Sequence, residues 1–134
     1  MAVRMELSRI FIREMSDIQF IELQEVDGDR SFPIGIGLPE AQAIERRLKG
    51  IAPPRPQTHD LLATVIETLG GELDRIVIHD LTDGTFFARL IVTRNGEQIE
   101  VDSRPSDAIA LGVASQAPIF VEESVLEQAA TEEA

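Results

Sequence analysis

The chain contains no cysteine, no tryptophan and no tyrosine. Without thiols there is no disulfide framework, no thiolate nucleophile and no zinc site built on sulfur. The six phenylalanines, Phe11, Phe20, Phe32, Phe86, Phe87 and Phe120, all sit in apolar, strand-like segments. All six are therefore expected in the core, which leaves no platform for stacking bases. Long apolar runs are missing too: the longest, Ala108 to Ala114, has seven residues, far short of a membrane span. Met1 to Glu6 carry no signal-type apolar stretch, so a cytoplasmic protein without membrane contact is the expectation. Positive charge is scarce, with 12 Lys and Arg against 24 Asp and Glu and a net charge of -12, a balance that repels nucleic acid at long range. Its one concentration is the window Arg46 to Arg55, where Arg46, Arg47, Lys49 and Arg55 occur without an acid. A polyanion would bind there, although cations opposing the dipole at a helix end are the plainer reading of Arg46, Arg47 and Lys49.

What is present suits one globular domain over residues 1–134, since 43% hydrophobic and 27% charged residues lie close to the soluble average. The chain also matches itself. Offset by 66 positions, Leu7, Arg9, Ile10 and Ile12 fall on Leu73, Arg75, Ile76 and Ile78, and Phe20 falls on Phe86. At an offset of 67, Glu40, Ala41 and Ile44 fall on Asp107, Ala108 and Leu111. We read a first repeat over about 3–69 and a second over about 71–130, each with three strands followed by helices.

Local signals place the elements. In the first repeat, strands are expected near 3–13, 18–26 and 31–36, with Asp27-Gly28 as a hairpin turn. Pro39 starts a helix with Ala41, Ile44 and Leu48 on one apolar face, which Gly50 and Pro53 end. Thr58 is the expected N-cap of the next helix, with Leu61, Leu62, Val65, Ile66 and Leu69 facing the core. In the second repeat, strands near 73–81, 85–94 and 98–102 are joined by turns at Asp83-Gly84 and Asn95-Gly96. The helix after Pro105 is apolar almost all round and is expected to be the most buried. Pro118 to Val121 reads as extended, and Glu122 to Ala130 as a last helix in the acidic C-terminal end, 122–134, followed by residues that fray. The expected fold class is α+β: a duplicated strand-strand-strand-helix-helix unit whose six or so strands form a single curved or barrel-like sheet covered by helices.

No Gly-rich phosphate loop, nucleophile elbow or zinc-protease motif occurs, and His59 and His79 are too far apart in the chain for a histidine-rich metal site. What remains are carboxylates beside turns, for which Mg or Mn with oxygen ligands is the natural cofactor. The densest group is Asp102-Ser103-Arg104-Pro105-Ser106-Asp107, at a strand-to-helix junction. Arg104 and the helix start suit a phosphate there, while Asp102 or Asp107 suits a metal or a water. On residue types alone, satisfying the orphan amides of the helix start is the stronger reading. The second group is Pro53 to Asp60, a stiff loop carrying Arg55 and His59 into a helix start, for which plain capping is an equal reading. The repeat sets Glu40 opposite Asp107, so the two copies can turn carboxylates towards one cleft.

Taken in order, Phe32-Pro33-Ile34, Glu40-Ala41, Pro53 to Asp60, Gly84-Thr85-Phe86, Arg104-Pro105-Ser106-Asp107-Ala108 and Pro118-Ile119 make the chain recognisable. It resembles the bifunctional nuclease domain family over roughly residues 3–128. The resemblance implies a duplicated α+β fold and, from plant members, nuclease activity on DNA and RNA. The chain departs from many relatives at Gly35, where they have Trp, at Phe87, where they have Tyr, and at Gly112, near which they have a basic residue. The expected site lies between the two polar groups. Asp107, Asp60, His59 and Glu40 are the candidate catalytic residues, Arg55, Arg104 and Ser106 the substrate-binding ones, and Asp107, Asp60 and Asp102 the metal ligands. Two functional readings stand: a metal-dependent nuclease, from the resemblance, and a non-catalytic binding or regulatory module, from the acidic charge and the lack of aromatics. Available edge strands make a homodimer the expected assembly.

Overall fold

Seven strands form one sheet in the order β3-β2-β1-β7-β4-β5-β6, with four helices packed against it. The computed structural model describes residues 1–13 and 15–133, with side chains through residue 130. β1 (Ala2–Phe11), β2 (Gln19–Glu25) and β3 (Ser31–Ile36) make one antiparallel meander, and β4 (Gly71–Thr82), β5 (Thr85–Arg94) and β6 (Glu97–Ser103) make another. Asp83 and Gly84, like Asn95 and Gly96, both have positive φ. Those are the two tight turns that residue type predicts, since Asn, Asp and Gly tolerate this geometry and its twist matches the strands. Asp27-Gly28 differs: it lies within a longer connection, residues 26–30, closed by Glu25 N–H donating to the Arg30 carbonyl.

The short segment read only as extended is the joint of the molecule. β7 (Ile119–Glu122) lies between the meanders, antiparallel to β1 and parallel to β4. Six expected strands thus become seven, and the second half inserts a strand between its helices where the first has none. The sheet is not closed, so it is no barrel; β3 and β6 are its two free edges. Phe32 on β3 nevertheless stacks on Phe86 of β5, with ring centroids 5.5 Å apart, because the sheet turns its apolar face inward around a single core. Met5, Ile21, Leu23, Phe32, Ile76, Ile78, Ile109 and Leu126 are almost fully buried there.

The helices are α1 (Leu38–Leu48), α2 (Thr58–Thr68), α3 (Pro105–Ser115) and α4 (Glu123–Glu133). α3 is the most buried, as its composition requires, and packs on β4, β5, α1 and α2. α4 packs on β3, β4 and β7, held also by Arg30, whose guanidinium bridges Glu25 and Glu123 at 2.6 Å each. The fraying expected of the acidic end falls on residues outside the described side chains and on Ala134, which is not described.

Two expectations about burial change. Phe11, Phe20 and Phe87 are exposed; Phe11 and Phe20 are cross-strand partners on the sheet's outer side, where no helix buries them. On α2, Leu61, Leu62 and Val65 are exposed, as is Leu69 just after it, and no residue of the helix is fully buried. Its inward face is instead His59, Ala63 and Ile66, spaced by four and three. Leu48, at the end of α1, is also exposed.

Candidate active site

The starts of α1, α2 and α3 determine the geometry. α2 is rotated so that His59, rather than Leu61 or Leu62, faces α3. That rotation brings His59 Nε2 within 3.1 Å of Asp107 Oδ1. Arg104, immediately before α3, donates from Nε to the other oxygen, Asp107 Oδ2, at 2.9 Å, and from Nη2 to Glu40 Oε1 on α1 at 3.1 Å. Glu40 leans back over Gly37, where a Cβ would stand 3.2 Å from Oε1. A side chain at position 37 would crowd this carboxylate, which gives glycine its use there. Three helices thus contribute one chain of contacts: Glu40, Arg104, Asp107, His59.

The chain of contacts lines a cleft of about 670 Å³, bounded also by Arg46, Gln57, Thr58 and Leu61. His59 and Glu40 are largely buried, whereas the Arg104 side chain is 66% exposed. Burial pushes the Asp107 carboxyl up, but hydrogen bonds from Arg104 and His59 outweigh it and hold the group below the ordinary carboxylate value. Arg104 is raised in turn, chiefly by its hydrogen bond to Asp107. Two cations, Arg46 and Arg104, balance two carboxylates in the lining. The cleft is therefore locally close to neutral in a chain of net charge -12.

Of the residues singled out from the sequence, Glu40, His59, Arg104 and Asp107 are brought together. Asp60 is beside them in the chain but turns back, accepting the Gln57 N–H at 3.1 Å as part of the start of α2. Gln57, not Thr58, is the N-cap of that helix. Arg55 lines a separate cleft of about 360 Å³. Asp102 is exposed on β6, opposite Arg89. Ser106 is buried and lines a different cleft, on the other side of Arg104. Among the described residues, no three of His, Asp and Glu are placed to hold a metal ion. Both Asp107 oxygens and one Glu40 oxygen are already engaged by Arg104 and His59, so the donors expected for Mg or Mn do not form a ready site.

Arg46 is the site residue that residue type alone did not single out. It belonged to the basic window, and its place in the cleft follows from α1 packing against α3. Arg46 Nε donates to Gln57 Oε1 at 3.1 Å, which joins the window to the start of α2. His79, the other histidine, is the extra residue of a bulge in β4 and does not line the cleft.

A family model described as the bifunctional nuclease domain matches residues 21–134. Sequences from two strains of Mycobacterium tuberculosis, each described as an uncharacterized protein, are 50% identical to the chain over 107 residues. The match covers 80% of this chain and 63% of each relative, so the chain spans less than two thirds of their length. Among the described residues, no helix is long and apolar enough to cross a membrane.

Proposed function

The chain belongs to the bifunctional nuclease domain family, and on that premise we propose that the cleft of Glu40, His59, Arg104 and Asp107 hydrolyses phosphodiester bonds in DNA and RNA. The observation that carries this reading is the contact of His59 Nε2 with Asp107 at 3.1 Å, beside a guanidinium that is itself held by two carboxylates. A carboxylate on one imidazole nitrogen orients the ring and leaves the other nitrogen to exchange protons with substrate. In the proposed step Nδ1 of His59 takes a proton from a water molecule as the water oxygen bonds to phosphorus. The bond from phosphorus to the leaving sugar oxygen breaks, and that oxygen takes the proton back from the imidazolium. Arg104, with its exposed side open to the cleft, stabilises the negative charge that grows on the phosphoryl oxygens. Arg46 supplies a second cation to draw a polyanion into an otherwise acidic surface. No step passes through a divalent ion, because the carboxylates are already partnered.

The two halves are read as copies of one unit on similar footing. Bulges fall at Ser8 in β1 and at Asp74 in β4, and the offset that aligns Leu7 with Leu73 also aligns them.

The test is an assay of purified protein on labelled single- and double-stranded DNA and RNA, with Mg, Mn or chelator. Cleavage that persists in chelator and that His59→Ala lowers by about a hundredfold or more is the expected result. Cleavage indifferent to His59→Ala would come from a contaminant. No cleavage under any condition would leave the non-catalytic binding module as the reading.

A further inference from the structure

A second cleft, of about 400 Å³, opens where the end of β3, the turn between β4 and β5 and the start of α3 meet at one mouth of the curled sheet. Arg104 lines both this cleft and the one holding His59. The two ends of the mouth cleft differ in chemistry. One wall is apolar, with the exposed Ile18 and the half-buried Phe86 as its reachable side chains. The other end is the first turn of α3. Pro105 has no N–H, no side chain caps the helix, and the N–H groups of Ser106 and Asp107 have no acceptor among the described residues. Ser106 is only 5% exposed and lines the cleft. Its hydroxyl has no hydrogen-bond partner among the described residues and is not fully enclosed, so it keeps its hydrogen-bonding capacity for a ligand in the cleft.

Ser106 and the guanidinium of Arg104 line one end and suit an anion, and an apolar wall carrying Phe86 lies beside them. We infer that this cleft binds a nucleoside monophosphate, its phosphate on Ser106 and Arg104 and its base against Ile18 and Phe86. The choice of a nucleotide, among molecules that join a phosphate to a flat apolar group, rests on the phosphodiester reading of the neighbouring cleft. Asp17, on the rim, is an acceptor for a base amino group or a sugar hydroxyl. The rim is held in place: the buried Gln19 side chain donates to the carbonyls of Arg13 and Ser16 at 2.9 and 2.8 Å, fixing the loop that carries Asp17 and Ile18. Such preorganisation reduces the ordering cost of binding.

Isothermal titration with adenosine monophosphate, ribose phosphate and inorganic phosphate tests the inference without turnover, since none of these is a diester. The expected result is adenosine monophosphate binding about tenfold or more tightly than ribose phosphate, with backbone amide shifts at Gly84 and Thr85. Ile18 is exposed, so Ile18→Ser should fold normally, bring adenosine monophosphate down to the affinity of ribose phosphate, and leave ribose phosphate unchanged. Ser106→Ala should weaken both about fivefold, with a thermal melt confirming the fold. Equal affinity for the two ligands, or nucleotide binding untouched by both substitutions, would overturn the inference. Strand cleavage with equal affinities would keep the hydrolytic reading and remove this one; base discrimination in a protein that cleaves nothing would do the reverse.

Discussion

Asp60 and Asp107 hold the same position in two helices, the third residue after the N-cap, yet their carboxylates have different work. Asp60 folds back on its own helix start and accepts the Gln57 N–H. Asp107 turns away from its backbone, giving one oxygen to Arg104 and the other to His59. Glu40 is the third acid at this position, in α1, and it also reaches Arg104. An acid near a helix N-terminus is favoured by the dipole in every case. Its further role depends on whether a neighbouring helix presents a partner. α2 begins at the end of a loop with its own amide as the nearest donor, whereas α3 begins among α1, α2 and the mouth of the sheet. The local rule explains why the acids are there, and packing decides which of them meets side chains from other helices.

The contrast is broken most severely by exchanging charge for an isosteric amide at each place. Asp107→Asn keeps the size but removes the anion that, in the proposed reaction, orients His59. Phosphodiester cleavage should fall by about a hundredfold or more. Asp60→Asn should leave it within about twofold, since Asn serves the helix start nearly as well. Equal losses in the two variants would mean that both carboxylates act in the reaction, and the distinction drawn here would fail.

Truncation reverses the ranking. Asp60→Ala leaves the Gln57 N–H without its acceptor and should cost about 1 kcal/mol of stability, a drop of roughly 3–5 °C in Tm for a chain of this size. Cleavage measured well below Tm should be unchanged. A melt of Asp60→Ala that superimposes on the wild type would show that the hydrogen bond at 3.1 Å carries no net stability.

The smallest effect sharpens the comparison through pH. Asp107 is held below its ordinary value in the folded chain, so its contribution to stability is complete above the unfolded value, near pH 4, and is lost as pH falls through the folded one. The Tm difference between wild type and Asp107→Asn should stay flat from about pH 5 to pH 4 and close below that. Arg30 holds Glu25 and Glu123 low as well, but both proteins carry them and their effect cancels in the difference. A gap that persists to the lowest pH would show that Arg104 and His59 do not favour the ionised form. The Asp107 side chain is about one third exposed, so solvent and salt keep this effect modest.

Much of the fold was legible because short-range rules dominate it. The tight turns at Asp83-Gly84 and Asn95-Gly96 need residues that tolerate positive φ, and the sequence has them. Pro39 and Pro105 mark two helix starts, and alternation marks six strands. β7 was less legible: four residues between two helices carry little pattern of their own, and their central place comes from pairing with β1 and β4, far away in sequence. The face of α2 misled for a related reason. Leu61, Leu62, Val65 and Leu69 form the more apolar stripe, but α3 and β4 contact the smaller face of His59, Ala63 and Ile66. Close packing against α3 favours the face that lets the helices approach.

The candidate site divides along the same line. Residue types favoured plain capping at the helix starts, or left it an equal reading, and only together with the repeat, which set Glu40 opposite Asp107, and the family resemblance did they point to Glu40, His59, Arg104 and Asp107 among others. The same signals pointed equally to Asp60, Asp102 and Arg55. Only the tertiary structure separated the two sets. The rotation of α2 under α3 carries His59 inward, and the packing of α1 on α3 brings Glu40 and Arg46 to the cleft, while Asp102 stays out on an exposed strand and Asp60 on its own backbone. Local sequence determines what a helix start offers. Distances of about 3 Å between side chains on different helices are decided by how those helices pack, because a single-turn rotation or a one-residue register change moves a side chain by more than the reach of a hydrogen bond.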